Sequence, residues 1–345
     1  MSNLLTYSGI VTKVKGMESN CIKPKDYESI STIESVIEYI QYLKQHQGYK
    51  SIFHNTDEYT VHRGEIEGVF ILSLYSDFAK IYRFANIEQR KALDLVFFRY
   101  EVNILKVCIQ LLYSKKGYYN LAMFEPFFKH HSKINIQSLI QARSIEEFVS
   151  NLKDTQYHSL FLRLMNTNHN TPFDFEMQLD IYYFKKAWKL KDKLLTGDNL
   201  KAFTKVLGTE IDLLNIMWLY RSKRYFDTNT SNYYGYIISV NYKLDKQKLT
   251  KLLESTSIDE FIQILKTTAY KDLANAFLDG DIENKVNKVI AKVYRDNSAK
   301  YSASMAYVFH YLYHKRDEIN RLTTALECIR YKLEPSDTLH YILQS

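Results

Sequence analysis

The chain has 345 residues, a length of two to three ordinary domains. Ten glycines and four prolines are too few for a hairpin-rich or barrel architecture. None of the glycines falls in a GxGxxG, P-loop or GxSxG pattern, which excludes nucleotide binding through a glycine-rich loop and the serine-hydrolase elbow. The charge balance, 46 basic against 39 acidic residues or +7, is mildly basic with the signs interspersed along the chain, which argues against a nucleic-acid-binding face.

Few breakers and long periodic apolar stretches predict an all-α protein. Met1–Gly16 lacks a charged segment followed by an apolar block, so it does not read as a signal peptide. Ser35–Lys44 opens with Ser-x-x-Glu and carries an apolar stripe, predicting a capped helix, and Tyr49 follows it. An apolar-Glu-x-x-apolar pattern appears at Ile66-Glu67, and an acid at Glu101 opens a long apolar helix. The apolar runs Gly68–Ser76 and Val107–Ser114 fall far short of the ~20 residues that span a bilayer. With Cys21, Cys108 and Cys328 matching no zinc or redox spacing, the sequence predicts a soluble intracellular protein in a reducing compartment.

Ser114–Tyr119 reads as a junction. Ser144–Tyr157 repeats the first pattern, with Glu147 closing the capping box and Ile145, Phe148, Val149 and Leu152 forming the stripe. Asn166–Phe175, polar and containing Pro172, reads as a loop. Phe175-Glu176 and Asp212 repeat the two acidic anchors. Asp227–Tyr242, with Gly235, reads as a connection holding a short extended piece at Tyr236–Val240. Ser257–Tyr270 returns the capped helix, with Glu260, Ile258, Phe261, Ile262 and Leu265. Ile282-Glu283 and Glu318 complete the series, and Met305–Ile319 reads as a helix.

Ser144–Tyr157 and Ser257–Tyr270 are identical at eight of fourteen positions. The capping serines are separated by 109 and 113 residues, Glu67, Glu176 and Glu283 by 109 and 107, and Glu101, Asp212 and Glu318 by 111 and 106. Three anchors in one order, three times over, predict three similar helical domains, 1–115, 116–228 and 229–345. Tyr39, Phe148 and Phe261 are expected at equivalent buried positions.

Each candidate for chemistry has a structural reading that explains it better. Repeated carboxylates can act as acid and base, but one acid per repeat suits a cap or an inter-helix ion pair. His310 and His314 stand four apart on one helix, a zinc-compatible spacing without a HExxH glutamate or an evident third ligand. His62, His130 and His131 have no more support. Lys185–Lys193 could meet phosphate or anionic lipid. It reads instead as a helix with solvated lysines and Trp188, Leu190 and Leu194 turned inward. The 29 tyrosines, dispersed through all three repeats, suit inter-helix seams with buried rings and wet hydroxyls rather than a base-stacking surface. No catalytic, cofactor-binding or metal residue is assigned.

The segment Asp212-Leu-Leu-Asn-Ile-Met-Trp-Leu-Tyr-Arg221, within three tandem helical repeats, resembles the C subunits of the V/A-type (vacuolar/archaeal-type) rotary ATPases, homologues of the d subunit of eukaryotic V-ATPases. Arg63–Glu67, Tyr100–Lys106, Phe175–Tyr183 and Asp317–Leu322 resemble that family as well, so the likeness runs along the whole chain. Ile104 stands where the family's first repeat tends to carry Asn, and Arg321 occupies the matching place in the third. The resemblance implies a funnel of three helical domains about a pseudo-threefold axis. It also implies a non-catalytic rotor component, peripheral to the cytoplasmic face of the membrane, that couples the central stalk subunits D and F to the proteolipid ring for proton or sodium transport. No cofactor, small-molecule substrate or nucleic-acid partner is implied. A helical interaction scaffold outside the rotary ATPases is the alternative.

Overall fold

A computed structural model of the chain describes residues 3–114, 120–167, 171–225 and 235–344. Among the described residues the secondary structure is helical, with no strand. In chain order the first helices are α1 (Asn3–Glu18), α2 (Pro24–Ser31), α3 (Val36–Gln45), α4 (Lys50–Phe53), α5 (Arg63–Phe84) and α6 (Ile87–Ser114). There follow α7 (Glu125–His131), α8 (Ile136–Gln141), α9 (Ile145–Ser150), α10 (His158–Met165), α11 (Pro172–Leu194) and α12 (Gly197–Tyr225). The last are α13 (Lys246–Glu254), α14 (Ile258–Lys266), α15 (Ala274–Asp279), α16 (Ile282–Lys300), α17 (Ala306–Arg330) and α18 (Pro335–Gln344). Three short helices followed by two long ones recur as α2–α6, α8–α12 and α13–α17.

The serine caps take the same conformation each time. Ser35, Ser144 and Ser257 have φ of −137°, −140° and −139°, and each hydroxyl accepts from the N–H of the glutamate three residues on, at 3.2, 3.3 and 3.1 Å. Each glutamate reaches back one residue further than a standard capping box requires. Glu38, Glu147 and Glu260 accept from the backbone N–H of Glu34, Arg143 and Thr256, the residue before the cap. The stripe behind each cap is buried: Tyr39, Phe148 and Phe261 are fully enclosed, as are Leu43, Leu152 and Leu265.

The chain divides into two compact units that do not coincide with the sequence repeats. One comprises Met1–Arg90, Asn103–Pro172 and Tyr311–Ser345; the other comprises Lys91–Val102 and Phe173–His310. The cause is visible inside each unit, where the second long helix of one repeat packs on the short helices of the next. In the first unit a ring cluster of Tyr49, Phe53 and Phe70, with centroids 5.5–6.0 Å from Phe70, lies under α17, and Tyr39 Oη donates to the Leu322 carbonyl at 2.9 Å. In the second, Tyr220 on α12 packs against Phe277 at 4.4 Å, and Phe277 against Phe261 on α14 at 5.8 Å.

Several local expectations need correction. The loop before α11 is shorter than Asn166–Phe175, because Pro172 opens the helix, where its missing N–H costs nothing; 168–170 lie outside the described residues. The helix expected over Met305–Ile319 runs on to Arg330, since no breaker follows Ile319. Among the described residues Tyr236–Val240 has no strand partner. The Asn215 amide takes that place, accepting from the Ile238 N–H and donating to its carbonyl, both at 3.0 Å. Residues 227–234 of the predicted connection and 115–119 of the Ser114–Tyr119 junction are outside the described residues.

Candidate functional site

The acids expected to open long helices, Glu101, Asp212 and Glu318, lie instead near the middle of α6, α12 and α17, where they are buried in the packing between helices. Glu318 on α17 is 1% exposed. Its Oε2 accepts from the Ile22 N–H at 2.6 Å, in the segment that leads into α2. Its Oε1 accepts from Tyr49 Oη and from Lys315 Nζ, both at 2.6 Å. Lys315 is itself buried; its ammonium also donates to Tyr49 Oη at 2.9 Å and lies 4.1 Å from that ring's centroid. Burial, reinforced by the Glu318 charge, pushes the Tyr49 hydroxyl well above the ordinary phenol range. The third repeat thereby grips the first through a carboxylate whose charge is neutralised locally.

Asp212 on α12 builds the same joint between the second and third repeats with different charges. Its Oδ2 accepts from the Lys243 and Leu244 N–H groups, at 2.9 and 3.0 Å, in the segment that leads into α13. Tyr270 Oη donates to the same oxygen at 2.9 Å. Tyr270 ends the pattern begun by Ser257 as Tyr49 ends that begun by Ser35. Where α17 has Lys315, three residues before its acid, α12 has Thr209, whose hydroxyl bonds its own helix at the Lys205 carbonyl. Asp212 is wholly buried, and among the described residues Oδ1 has no hydrogen-bond partner. Burial raises its carboxyl from 3.8 to about 6; the Tyr270 hydroxyl and the two backbone donors limit the rise.

A second set of contacts lies nine residues further along the same helices. Glu327 on α17 meets Arg63 at 2.7 Å, and Arg63 also meets Glu67 at 2.7 Å. On α12 the polarity is reversed, with Arg221 2.9 Å from Glu283. Glu283 thus sits in an inter-helix ion pair, whereas Glu67 pairs within α5 with Arg63, which itself reaches across to Glu327 on α17. Glu176 is half-buried on α11, and Glu101 is buried on α6.

His314 and His310 are both half-buried on α17. His314 comes together with Cys21 and Glu318, one ligand atom from each lying within 4.8 Å of the others. The donors do not suit a metal. Lys315 already supplies the positive charge at Glu318, whose two oxygens carry three donors. The Cys21 thiol is pushed far up by burial and the neighbouring carboxylate. His131 packs its ring against Tyr82 at 4.7 Å, while His62 and His130 are exposed.

Two expectations for side chains were too simple. Lys191, in the run read as solvated, is 5% exposed, with its ammonium 4.3 Å from the Trp188 ring centroid and 2.7 Å from Asp192. Trp188 and Leu194 are half-buried, and Leu190 is partly covered beside them. The core tyrosines do not keep wet hydroxyls: those of Tyr39, Tyr49, Tyr270 and Tyr311 donate to Leu322, Glu318, Asp212 and Asp77 inside the protein. Sequence reading missed Lys315 and Asn215. Both carried a signal at i,i+3 spacing, Asp212-x-x-Asn215 and Lys315-x-x-Glu318, which puts each pair on one helix face.

Residues 10–341, nearly the whole chain, match the family described as ATP synthase (C/AC39) subunit. The chain belongs to that family. Among its relatives, the A-type ATP synthase C subunit of Methanosphaera stadtmanae is 22% identical over 75% of this chain and 65% of its own length. The A-type ATP synthase C subunit of Methanobrevibacter smithii is 25% identical over 48% of this chain and 44% of its own. The match thus spans less than two-thirds of either relative. The corresponding protein of Thermococcus kodakarensis is 22% identical over 95% of this chain and 88% of its own length. This C/AC39 chain has, among the described residues, no helix long and apolar enough to cross a membrane.

Proposed function

We propose that the chain is a non-catalytic adaptor in the rotor of a V/A-type ATP synthase or ATPase. In this reading it joins the central stalk subunits D and F to the membrane proteolipid ring and transmits rotation for proton or sodium transport. It lies at the cytoplasmic face, peripheral to the membrane and attached through its partners. Three helical domains, 1–115, 116–228 and 229–345, form a funnel with pseudo-threefold symmetry.

The observation that carries this reading is the pair of buried joints. Asp212 ties the second repeat to the third, and Glu318 ties the third back to the first. A chain whose last repeat grips its first resists twisting better than an open string of domains. A torque adaptor needs that stiffness, together with dense packing of large side chains. No cofactor and no small-molecule substrate is required.

The test is a pull-down of purified D–F stalk and, separately, of detergent-solubilised proteolipid ring by the folded full-length chain. Capture of both at micromolar concentration is the expected result. Failure to capture either, with the helical circular dichroism intact, refutes the adaptor and leaves a helical scaffold outside the rotary ATPases.

A further inference from the structure

We propose that the outward face of α16 is a docking ridge for an acidic α-helix of a partner protein. Lys285, Lys288, Lys292 and Arg295 lie on α16 and recur at intervals of three, four and three residues. At about 100° per residue they fall within roughly 80° of arc, on a line about 15 Å long. The buried residues Ile282, Val286, Tyr294 and Asn297 face away from that line. Among the described residues no carboxylate pairs with Lys285, Lys288 or Lys292. Asp296 lies beside Arg295 at 3.7 Å, Glu283 is engaged by Arg221, and the exposed N-cap Asp281, four residues before Lys285, forms no ion pair with it. Four like charges on one helix face repel each other and cost stability when left without counter-charge.

The pattern selects the occupant. Charges at helical spacing on one straight helix complement carboxylates at the same spacing on another. A lipid surface would be met by cations spread over a plane and by an apolar side chain for insertion, but α16 exposes no large hydrophobic residue. On α11 the basic line Lys185, Lys189 and Lys193 is one charge shorter and is also flanked by an acid, Asp192, which Lys191 holds. The ridge is independent of the adaptor reading, since any partner with an acidic helix would satisfy it.

The test measures binding of the full-length chain to a fluorescent alanine-based helical peptide whose glutamates recur at three- and four-residue intervals on one face. The same glutamates distributed around the helix give the control peptide. The one-face peptide is expected to bind at least ~5-fold tighter than the control, and to lose affinity as salt rises. Lys285→Glu, Lys288→Glu and Lys292→Glu together should weaken it at least ~10-fold, while Lys185→Glu, Lys189→Glu and Lys193→Glu should change it less than ~2-fold. Equal binding of the two peptides, or equal loss in the two variants, overturns the proposal in favour of unspecific charge attraction. Tighter retention by phosphatidylserine-containing vesicles or by a DNA duplex than by the peptide also overturns it, assigning the ridge to lipid or to nucleic acid. A pull-down of stalk and ring is unaffected by any of these outcomes, so the two proposals fail separately.

Discussion

Replacing Asp212 with Asn isolates the cost of burying a carboxylate that has no cation of its own. In the folded protein this group titrates near 6, against 3.8 for an ordinary Asp. A raised acid means that the folded state holds the proton more firmly than the unfolded state. Stability from this group is therefore complete below pH ~4 and is lost as pH rises toward 6, the reverse of a salt-bridged carboxylate. With 1.36 kcal/mol per pH unit, the loss between pH 4 and pH 7.5 is about 2–3 kcal/mol. Asn is neutral at both pH values. It keeps an oxygen for the Lys243 and Leu244 N–H groups and puts an NH2 where Oδ1 has no partner, a cost that is constant with pH. Both tryptophans, Trp188 and Trp218, belong to the compact unit that contains Asp212, so their fluorescence in urea reports the relevant transition. The expected result is that Asp212→Asn gains about 2–3 kcal/mol relative to the wild-type chain as pH rises from 4 to 7.5, whatever its offset at pH 4. Parallel stability curves would refute the assignment of an uncompensated buried charge.

The equivalent change at the other joint has the opposite consequence. Glu318→Gln leaves the buried Lys315 ammonium without its counter-charge and should destabilise by about 3–5 kcal/mol in urea melts at pH 7; a loss under ~1 kcal/mol would contradict the buried pair. Gly208→Ala places a Cβ 2.5 Å from the Tyr242 ring and should cost about 1–3 kcal/mol. Gly16→Ala, which meets nothing within 4 Å on α1, should gain about 0.5–1 kcal/mol, so equal effects in thermal melts would refute the close approach. Ser144→Ala and Ser257→Ala each remove a cap bond and should cost about 1 kcal/mol by the same melts; no change in either would show that the caps are idle.

What the sequence disclosed is what lies within one turn of helix. Ser144 and Glu147 are three residues apart, so their mutual capping and the burial of Phe148 behind them follow from spacing alone. Two of the three partners of Glu318, Ile22 and Tyr49, come from 296 and 269 residues away, and no local rule specifies them. A recurring tyrosine about thirteen residues after each capping serine was the one trace of that contact, and only the fold shows Tyr49 and Tyr270 meeting acids. Charge was misjudged for a related reason. Read in chain order, the lysines of α16 are diluted by Asn287, Ala291 and Asp296, and they gather into one line only when counted at helical intervals. A run of lysines likewise gives no hint of which one a tryptophan covers, so spacing alone leaves Lys191 in solvent.

The grip of α17 on the N-terminal segment also sets a timetable for synthesis. Ile22 and Tyr49 leave the ribosome 296 and 269 residues before Glu318, their buried partner. At roughly 5–20 residues per second that is a delay of about 15–60 s, during which the cluster of Tyr49, Phe53 and Phe70 lacks the helix that covers it. A nascent chain in that interval is exposed to misassembly and is a natural client for chaperones. A circular permutant that begins at α17 would present Glu318 before Ile22 and Tyr49, and would remove the wait without altering a contact in the finished protein.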